Sequence, residues 1–215
     1  MKLILKLSLL ILLMASCTNP VKKVKPKKTI PVNNHSFSNI EEVHTTHLHL
    51  DLNVDFTNKK LSGVARHKMD NQGANQAVFD IKGLKIQKVT TGNSENEKVR
   101  KFEIGPGVEN TILGQPLIVN IDKNTAYVNI YYETTEESEA LDWLDSALTS
   151  SKNKPFLYTQ GQAILTRTWI PIQDAPSNRI TYSADLKVPS DLMAVMSASN
   201  PKEKNHEGNY HFDMK

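Results

Sequence analysis

The pattern that most constrains this fold is a strict alternation of apolar and polar residues between His44 and Phe56. A period of two over this length indicates a β-strand with one buried face. Residues 57–60 have the composition of a turn, so residues 61–69 are predicted to return as a hairpin partner. The predicted inward parity carries Thr46, Leu48, Leu50, Leu52, Val54 and Phe56, and the other carries Thr45, His47, His49, Asp51, Asn53 and Asp55.

Similar short runs along the rest of the chain predict an all-β fold. They cover residues 78–81, 84–89, 117–121, 126–132 and 179–188. Only residues 137–148 favour a helix, because Leu141, Leu144 and Leu148 have helical spacing. Many short antiparallel strands without intervening helices are typical of a β-sandwich or an open curved sheet. With 39% hydrophobic residues, the chain has enough apolar side chains for a packed core.

Residues 1–16 resemble a bacterial lipoprotein signal peptide. Lys2 and Lys6 accompany an apolar run, and small residues precede Cys17, the chain's single cysteine. The run is shorter than the roughly 20 residues that a membrane-spanning helix needs. We therefore expect export and acylation of Cys17, with sorting to the outer membrane because no aspartate follows the cysteine. Residues 17–38, rich in lysine and proline, are then an extended tether or a contact with anionic head groups.

The distribution of charge argues against nucleic-acid binding. The net charge of +3 arises because residues 1–38 carry lysines and no acid. Residues 39–215, the predicted β domain, hold 19 basic and 23 acidic residues. A surface that follows a phosphate backbone needs clustered Lys and Arg on the folded domain, and we expect no nucleic-acid partner.

No catalytic or metal motif is complete in the sequence. His47 and His49 share a strand face, as two zinc ligands would, but no third ligand follows at a convincing spacing. We interpret them as surface histidines. His206 and Glu207 lack the second histidine of an H-E-x-x-H helix. The acidic residues within 133–145 have the pattern of a solvated face rather than of a paired-carboxylate site.

One stretch is unlike a generic sandwich. Its sequence, from Phe156 to Asp174, is FLYTQGQAILTRTWIPIQD, preceded by Ala140-Leu141-Asp142-Trp143-Leu144 and followed by Thr181-Tyr182 and Met193-Ala194-Val195-Met196-Ser197-Ala198. With the first strand, these residues make the region from about residue 43 to 200 resemble the N-terminal domain of zinc aminopeptidases of the aminopeptidase N superfamily. The branch that it resembles most contains leukotriene A-4 hydrolase and related bacterial aminopeptidases.

The resemblance implies a saddle-like β domain that packs against a thermolysin-like catalytic domain C-terminal to this chain. It also implies that Gln160, Gly161, Gln162 and Ala163 line the pocket for the N-terminal end of a peptide substrate. A Gln amide offers both a donor and an acceptor, and glycine allows close backbone approach. The residues alone leave open that these are ordinary strand residues with the Gln side chains outward.

The zinc helix and the G-x-M-E-N segment of this superfamily are not among these 215 residues. We therefore expect the zinc cofactor of the complete enzyme to be bound by residues beyond Lys215, none by the residues present, and the chain alone to be inactive. The alternative is a stand-alone, non-catalytic β-sandwich lipoprotein that binds peptides or protein partners. Epoxide hydrolysis of a lipid is a weaker third option, suggested only by the nearest branch.

Overall fold

The computed structural model describes residues 35–108 and 112–215 of the chain. The predicted signal peptide, Cys17 and most of the predicted tether lie outside the described residues. The strands are β1 (Val43–Asp55), β2 (Lys60–Asn71), β3 (Gln76–Ile81), β4 (Leu84–Thr91), β5 (Lys98–Val99), β6 (Phe102–Ile104), β7 (Gln115–Asn120), β8 (Tyr127–Thr134), β9 (Leu141–Leu144), β10 (Phe156–Thr159), β11 (Thr181–Lys187) and β12 (Asn209–Met214). Single 3₁₀ turns at Ser146–Leu148 and Thr166–Thr168 are the helical segments of this part. None of its helices has the length and apolar character to cross a membrane.

The strands form one large and two small sheets, which confirms the all-β prediction. The large sheet has the order β12-β11-β1-β2-β8-β4-β5, and the small ones are β3-β7-β6 and β10-β9. All pairs are antiparallel except β1 and β11, which run parallel. Parallel strands need a crossover connection, and here the chain between β1 and β11 builds most of the domain. One apolar core joins residues from all three sheets.

The alternation in β1 holds only beyond a β-bulge near its start. The register of β1 on β2 shifts between Thr45 and His47, and Thr45 is fully buried while Thr46 is not. A bulge adds one residue to the strand and so reverses the parity of the inward face. The prediction that Thr46 points inward is therefore wrong, whereas Leu48 to Val54 face the core as predicted.

The helix predicted over residues 137–148 is wrong. Leu141–Leu144 form β9, which pairs with β10, and only Ser146–Leu148 form a 3₁₀ turn. The Trp143 ring packs edge-on against Phe56, with 5.2 Å between ring centroids. The spacing of the leucines favoured a helix. Pairing with β10 and the contact between Trp143 and Phe56 outweigh this preference, because so short a helix is marginal.

A buried histidine lies between the large sheet and the core. The His67 ring is fully buried and hydrogen-bonded to Thr45 Oγ1 and to the carbonyl oxygen of Pro171, at 3.1 and 3.0 Å. Burial lowers the pKa of His67 to about 3, so the ring is neutral in the folded protein. Because a carbonyl oxygen only accepts, Nε2 carries the proton and donates it to Pro171.

Candidate functional site

The segment that the resemblance assigns to the substrate pocket begins where β10 ends. Gln160 continues the pairing of β10 for one residue, since its amide donates to the Ala140 carbonyl at 2.9 Å. The chain then turns away from the sheet, and the Leu165 amide donates to the Gly161 carbonyl at 2.8 Å. Gln160, Gln162 and Ala163 are exposed and Gly161 is half-buried. The four residues therefore form a short loop on the surface of the described domain.

The two glutamine side chains of this loop have different roles. The Gln160 side-chain oxygen accepts the Gln162 amide at 3.0 Å, and its nitrogen donates to the Tyr158 hydroxyl at 3.3 Å. Gln160 thus shapes the loop from within. The Gln162 side-chain amide has no hydrogen-bond partner in the described part of the chain, so its donors and its acceptor are available to a ligand.

Gly161 is required by the close approach of the following 3₁₀ turn. A Cβ atom at this position would lie 2.6 Å from Thr166 Oγ1. Such a contact is much closer than van der Waals distance, so a side chain at residue 161 would have to displace the Thr166 hydroxyl. The Gly-Gln pair is therefore held in place by the segment that follows it.

Arg167 fixes that following segment from inside the domain. Its guanidinium is fully buried and donates to Asp174 Oδ2 at 3.1 Å and to the carbonyl oxygens of His35, Leu113 and Asp174. Asp80 lies 3.5 Å from the guanidinium and accepts hydrogen bonds from Ser36 Oγ and the Phe37 amide. This network joins the site loop to the residues where the predicted tether meets the domain.

Burial dominates the electrostatics of this network. It raises the pKa of the Asp80 and Asp174 carboxyls, while the Arg167 guanidinium opposes the rise in both. A buried ion pair of this kind contributes little net stability, but loss of one partner leaves an uncompensated charge. The network therefore anchors the segment that follows the loop, and its buried charged groups are not accessible to solvent.

The histidines of β1 form hydrogen bonds with neighbouring strands. His47 and His49 are half-buried on the outer face, and each lies within 3.0 Å of Ser183 Oγ. His49 also lies 3.3 Å from Asp185. Within residues 35–108 and 112–215, no group of three or more His, Cys, Asp or Glu is placed to hold a metal ion. The described residues thus do not fit a zinc site. His206, the first residue of the incomplete H-E-x-x-H match, is exposed and lies in a loop before β12.

The sequence pattern missed His67 and Arg167, two of the buried polar residues of the described domain. His67 has the same parity in β2 as buried Leu61, Ala65 and Met69, and this placement among inward-facing residues was a usable signal. Arg167 had no comparable signal, because it lies in a 3₁₀ turn and two of its partners, His35 and Leu113, are distant in sequence.

Together, the sheets and the loop define an all-β domain that exposes the residues Gln160, Gln162 and Ala163 at its surface. The profile of the Peptidase M1 N-terminal domain family matches residues 44–214. The chain therefore belongs to this family.

Named relatives agree with this assignment. Leukotriene A-4 hydrolase of Xenopus laevis is 34% identical over 172 residues, which is 76% of this chain and 27% of that protein. Leucine aminopeptidase 2 of Yarrowia lipolytica is 31% identical over 195 residues, 88% of this chain and 29% of the relative. The chain thus spans less than a third of the curated relatives that it matches.

Solved structures give the same result. Native yeast LTA4 hydrolase has a TM-score of 0.74 at 27% identity, covering 89% of this chain and 30% of that one. An M1 zinc metallopeptidase from Deinococcus radiodurans has a TM-score of 0.58 at 16% identity, covering 81% of this chain and 39% of the other. The second likeness is one of fold alone.

Proposed function

We propose that this chain is the N-terminal, cleft-contributing part of a lipid-anchored zinc metallo-aminopeptidase that removes N-terminal residues from peptides. The observation that carries the proposal is the family match over residues 44–214 together with the exposed Gln160–Ala163 loop. The relatives named aminopeptidases support the reaction class. Zinc and the groups that activate water belong, in this proposal, to the part of the longer protein beyond residue 215.

Gln162 is the residue proposed to contact the substrate. Its free amide can accept a hydrogen bond from a peptide α-amine and donate one to a peptide carbonyl. Gly161 and Gln160 hold it at the surface through the 3₁₀ turn and the hydrogen bond between Gln160 and the Gln162 amide. In this proposal the domain binds the first residue of the substrate, and it does so equally in the ground state and in the transition state.

Reading the DNA after codon 215 is the first test. An in-frame continuation that encodes G-x-M-E-N and H-E-x-x-H supports the enzyme, whereas a stop codon followed by an unrelated gene contradicts it.

Kinetics of the longer protein then test the site. Gln162→Ala is expected to raise KM for aminoacyl substrates about 10-fold or more, the usual cost of a hydrogen bond to a charged group, with kcat little changed. Gln72→Ala, at an exposed glutamine elsewhere on the domain, is the matched control. Equal KM values for the two variants would exclude Gln162 from substrate contact.

The membrane location is a separate part of the proposal. Acyl chains on Cys17 would supply stable anchoring, since two or more chains bind a membrane much more strongly than one. The tether, which would end before the buried residues Ser36 and Phe37, would hold the domain in water outside the cytoplasm, with the outer membrane as the expected site.

A second function, peptide or partner binding without catalysis, is favoured by one observation. The domain contains an apolar groove of about 750 Å³, which is within the size range of ligand sites. A stop codon at position 216 together with saturable binding of apolar peptides would support this function over the enzyme.

A further inference from the structure

The outer face of the large sheet carries a pair of histidines that the proposed function does not use. His47 and His49 lie two residues apart in β1, about 7 Å at the rise of a β-strand, and both are half-buried. The parallel strand β11 lies beside them and pairs Ser183 with His49. The fold therefore holds two imidazole rings next to one serine side chain.

Each ring directs one nitrogen at the same hydroxyl oxygen. Ser183 Oγ lies 3.0 Å from His47 Nε2 and 2.8 Å from His49 Nδ1. A hydroxyl has one proton, so it donates to one of these nitrogens and accepts from the other. Imidazole nitrogen is a common ligand of transition metals, and two such nitrogens that converge on one point have the geometry of a bidentate site.

The outer nitrogen of each ring has an acceptor of its own. His49 Nε2 lies 3.3 Å from Asp185 Oδ2. Because a carboxylate only accepts, Nε2 carries the proton, and Nδ1 of the neutral ring keeps its lone pair. His47 Nδ1 lies 2.7 Å from Thr181 Oγ1, and this hydroxyl can donate in turn to the Thr46 carbonyl oxygen at 3.5 Å. Partners of this kind orient the metal-binding histidines of proteins and raise their basicity.

The surroundings favour the neutral form of His47, which is the form that binds a metal ion. Burial lowers the pKa of His47, and the nearby His49 and Lys68 lower it further, whereas Asp213 opposes the change. Lys68 repels a cation at this position, but the carboxylates of Asp185 and Asp213 attract one. The site thus has anionic groups on the β11 and β12 side.

The number of ligands selects the kind of metal ion. Two protein ligands are fewer than the three or four that hold zinc, and residues 35–108 and 112–215 contain no group of three metal-binding side chains. Cu²⁺ suits a pair of imidazoles better than other divalent first-row metals do. It binds nitrogen donors most strongly among them, and its square-planar geometry accepts oxygen ligands such as water in the remaining positions.

We propose that His47 and His49 form a two-histidine site for Cu²⁺ on the outer face of the large sheet, with Asp185 and Thr181 orienting the two rings. In the bound state His47 carries its proton on Nδ1 and donates it to Thr181 Oγ1, so both inner nitrogens are free for the ion. The proposal is independent of the proposed peptidase reaction and concerns an ion other than the catalytic zinc.

Titration of the 215-residue chain with Cu²⁺, followed by calorimetry and electron paramagnetic resonance, tests the proposal. The chain carries no histidine tag, and Cys17→Ser is the common background because a thiol also binds copper. One ion per chain should bind, with the nitrogen splitting of two imidazoles. His47→Gln and His49→Gln should each leave one nitrogen and weaken binding by about 10-fold or more, at least the usual cost of losing an outer partner of a ligand.

Two further variants make the test specific. His44→Gln, in the same strand but 4.0 Å from Asp70 of β2, is the matched control and should bind Cu²⁺ like the parent chain. Asp185→Ala keeps both rings, so it should retain the two-nitrogen spectrum while weakening binding by about 10-fold. Because this variant leaves the ligands in place, the proposal stays testable if a histidine variant fails to fold in urea unfolding.

Three results overturn the proposal. The first is the absence of saturable Cu²⁺ binding by the parent chain. The second is binding by folded His47→Gln and His49→Gln with the affinity of the parent chain, which would make the ion adventitious. The third is loss of binding in His211→Gln but not in His47→Gln, which would assign the ion to His211 and its partners Asp185 and Asp213.

Discussion

Replacing His67 by glutamine should remove a large acid sensitivity from the domain. Burial lowers the pKa of His67 to about 3 in the folded state, whereas an unfolded histidine titrates near 6.5. Between these pH values the unfolded chain binds a proton that the folded chain does not, so the free energy of unfolding falls as pH falls. The slope is about 1.4 kcal/mol per pH unit.

From pH 7.5 to 4.5 this amounts to roughly 2–3 kcal/mol, a large fraction of a typical domain stability of about 5–15 kcal/mol. The buried carboxyls of Asp80 and Asp174 act in the opposite direction. Their pKa values are raised on folding, so the folded chain binds their protons at a higher pH than the unfolded chain does. These two carboxyls therefore raise the free energy of unfolding as pH falls through their folded-state pKa values. Because both carboxyls are present in wild type and in His67→Gln, their contribution cancels in the difference between the two proteins.

Urea unfolding at low micromolar concentration, followed by the fluorescence of Trp143 and Trp169, measures the effect. The wild type should lose roughly 2–3 kcal/mol more of its free energy of unfolding than His67→Gln over this pH range, whatever the cost of the substitution at pH 7.5. His206→Gln, at an exposed position, is the matched control and should follow the wild type. Parallel pH profiles for wild type and His67→Gln would refute the assignment of a buried, neutral imidazole.

Three further predictions concern the support of the site and the anchor. Arg167→Met should destabilise the domain by about 3–5 kcal/mol, because Asp80 is left buried without its cation; an unchanged urea midpoint would contradict this. Gly161→Ala should cost about 1–3 kcal/mol through overpacking against Thr166 Oγ1, and the double variant with Thr166→Ala should recover most of it in the same assay. Cys17→Ala should abolish incorporation of radiolabelled palmitate and release the protein from the membrane fraction, and retention of the label would place the acyl chains elsewhere.

The sequence predicted the strands that have one buried face. The alternation in β1, β2 and β11 is a local property of the chain, and it located these strands to within a few residues. The helical spacing of Leu141, Leu144 and Leu148 was misleading, because residues 141–144 form a strand that pairs with β10. The parallel pairing of β1 with β11 joins residues more than 130 positions apart, such as His47 and Thr181, and no local pattern encodes it.

For the loop of residues 160–163, the sequence could not show which side chains are free to bind a ligand. The resemblance supplied Gln160 to Ala163, but the sequence did not distinguish the two glutamines. The structure separates them, because the Gln160 side chain is used within the loop whereas that of Gln162 is free. The support beneath the loop depends on Arg167 and carbonyl oxygens from distant segments, and such contacts arise only from the tertiary fold.

Hydrolysis of aminoacyl fluorophores by the longer product and by residues 18–215, each with and without a metal chelator, tests whether the chain belongs to a zinc aminopeptidase whose catalytic groups lie outside it. We expect the longer product to release the fluorophore, to lose that activity with the chelator and to recover it with Zn²⁺, and we expect no release by residues 18–215. Zinc-dependent release by residues 18–215 alone would contradict this expectation. So would a folded longer product that releases no fluorophore either with or without the chelator.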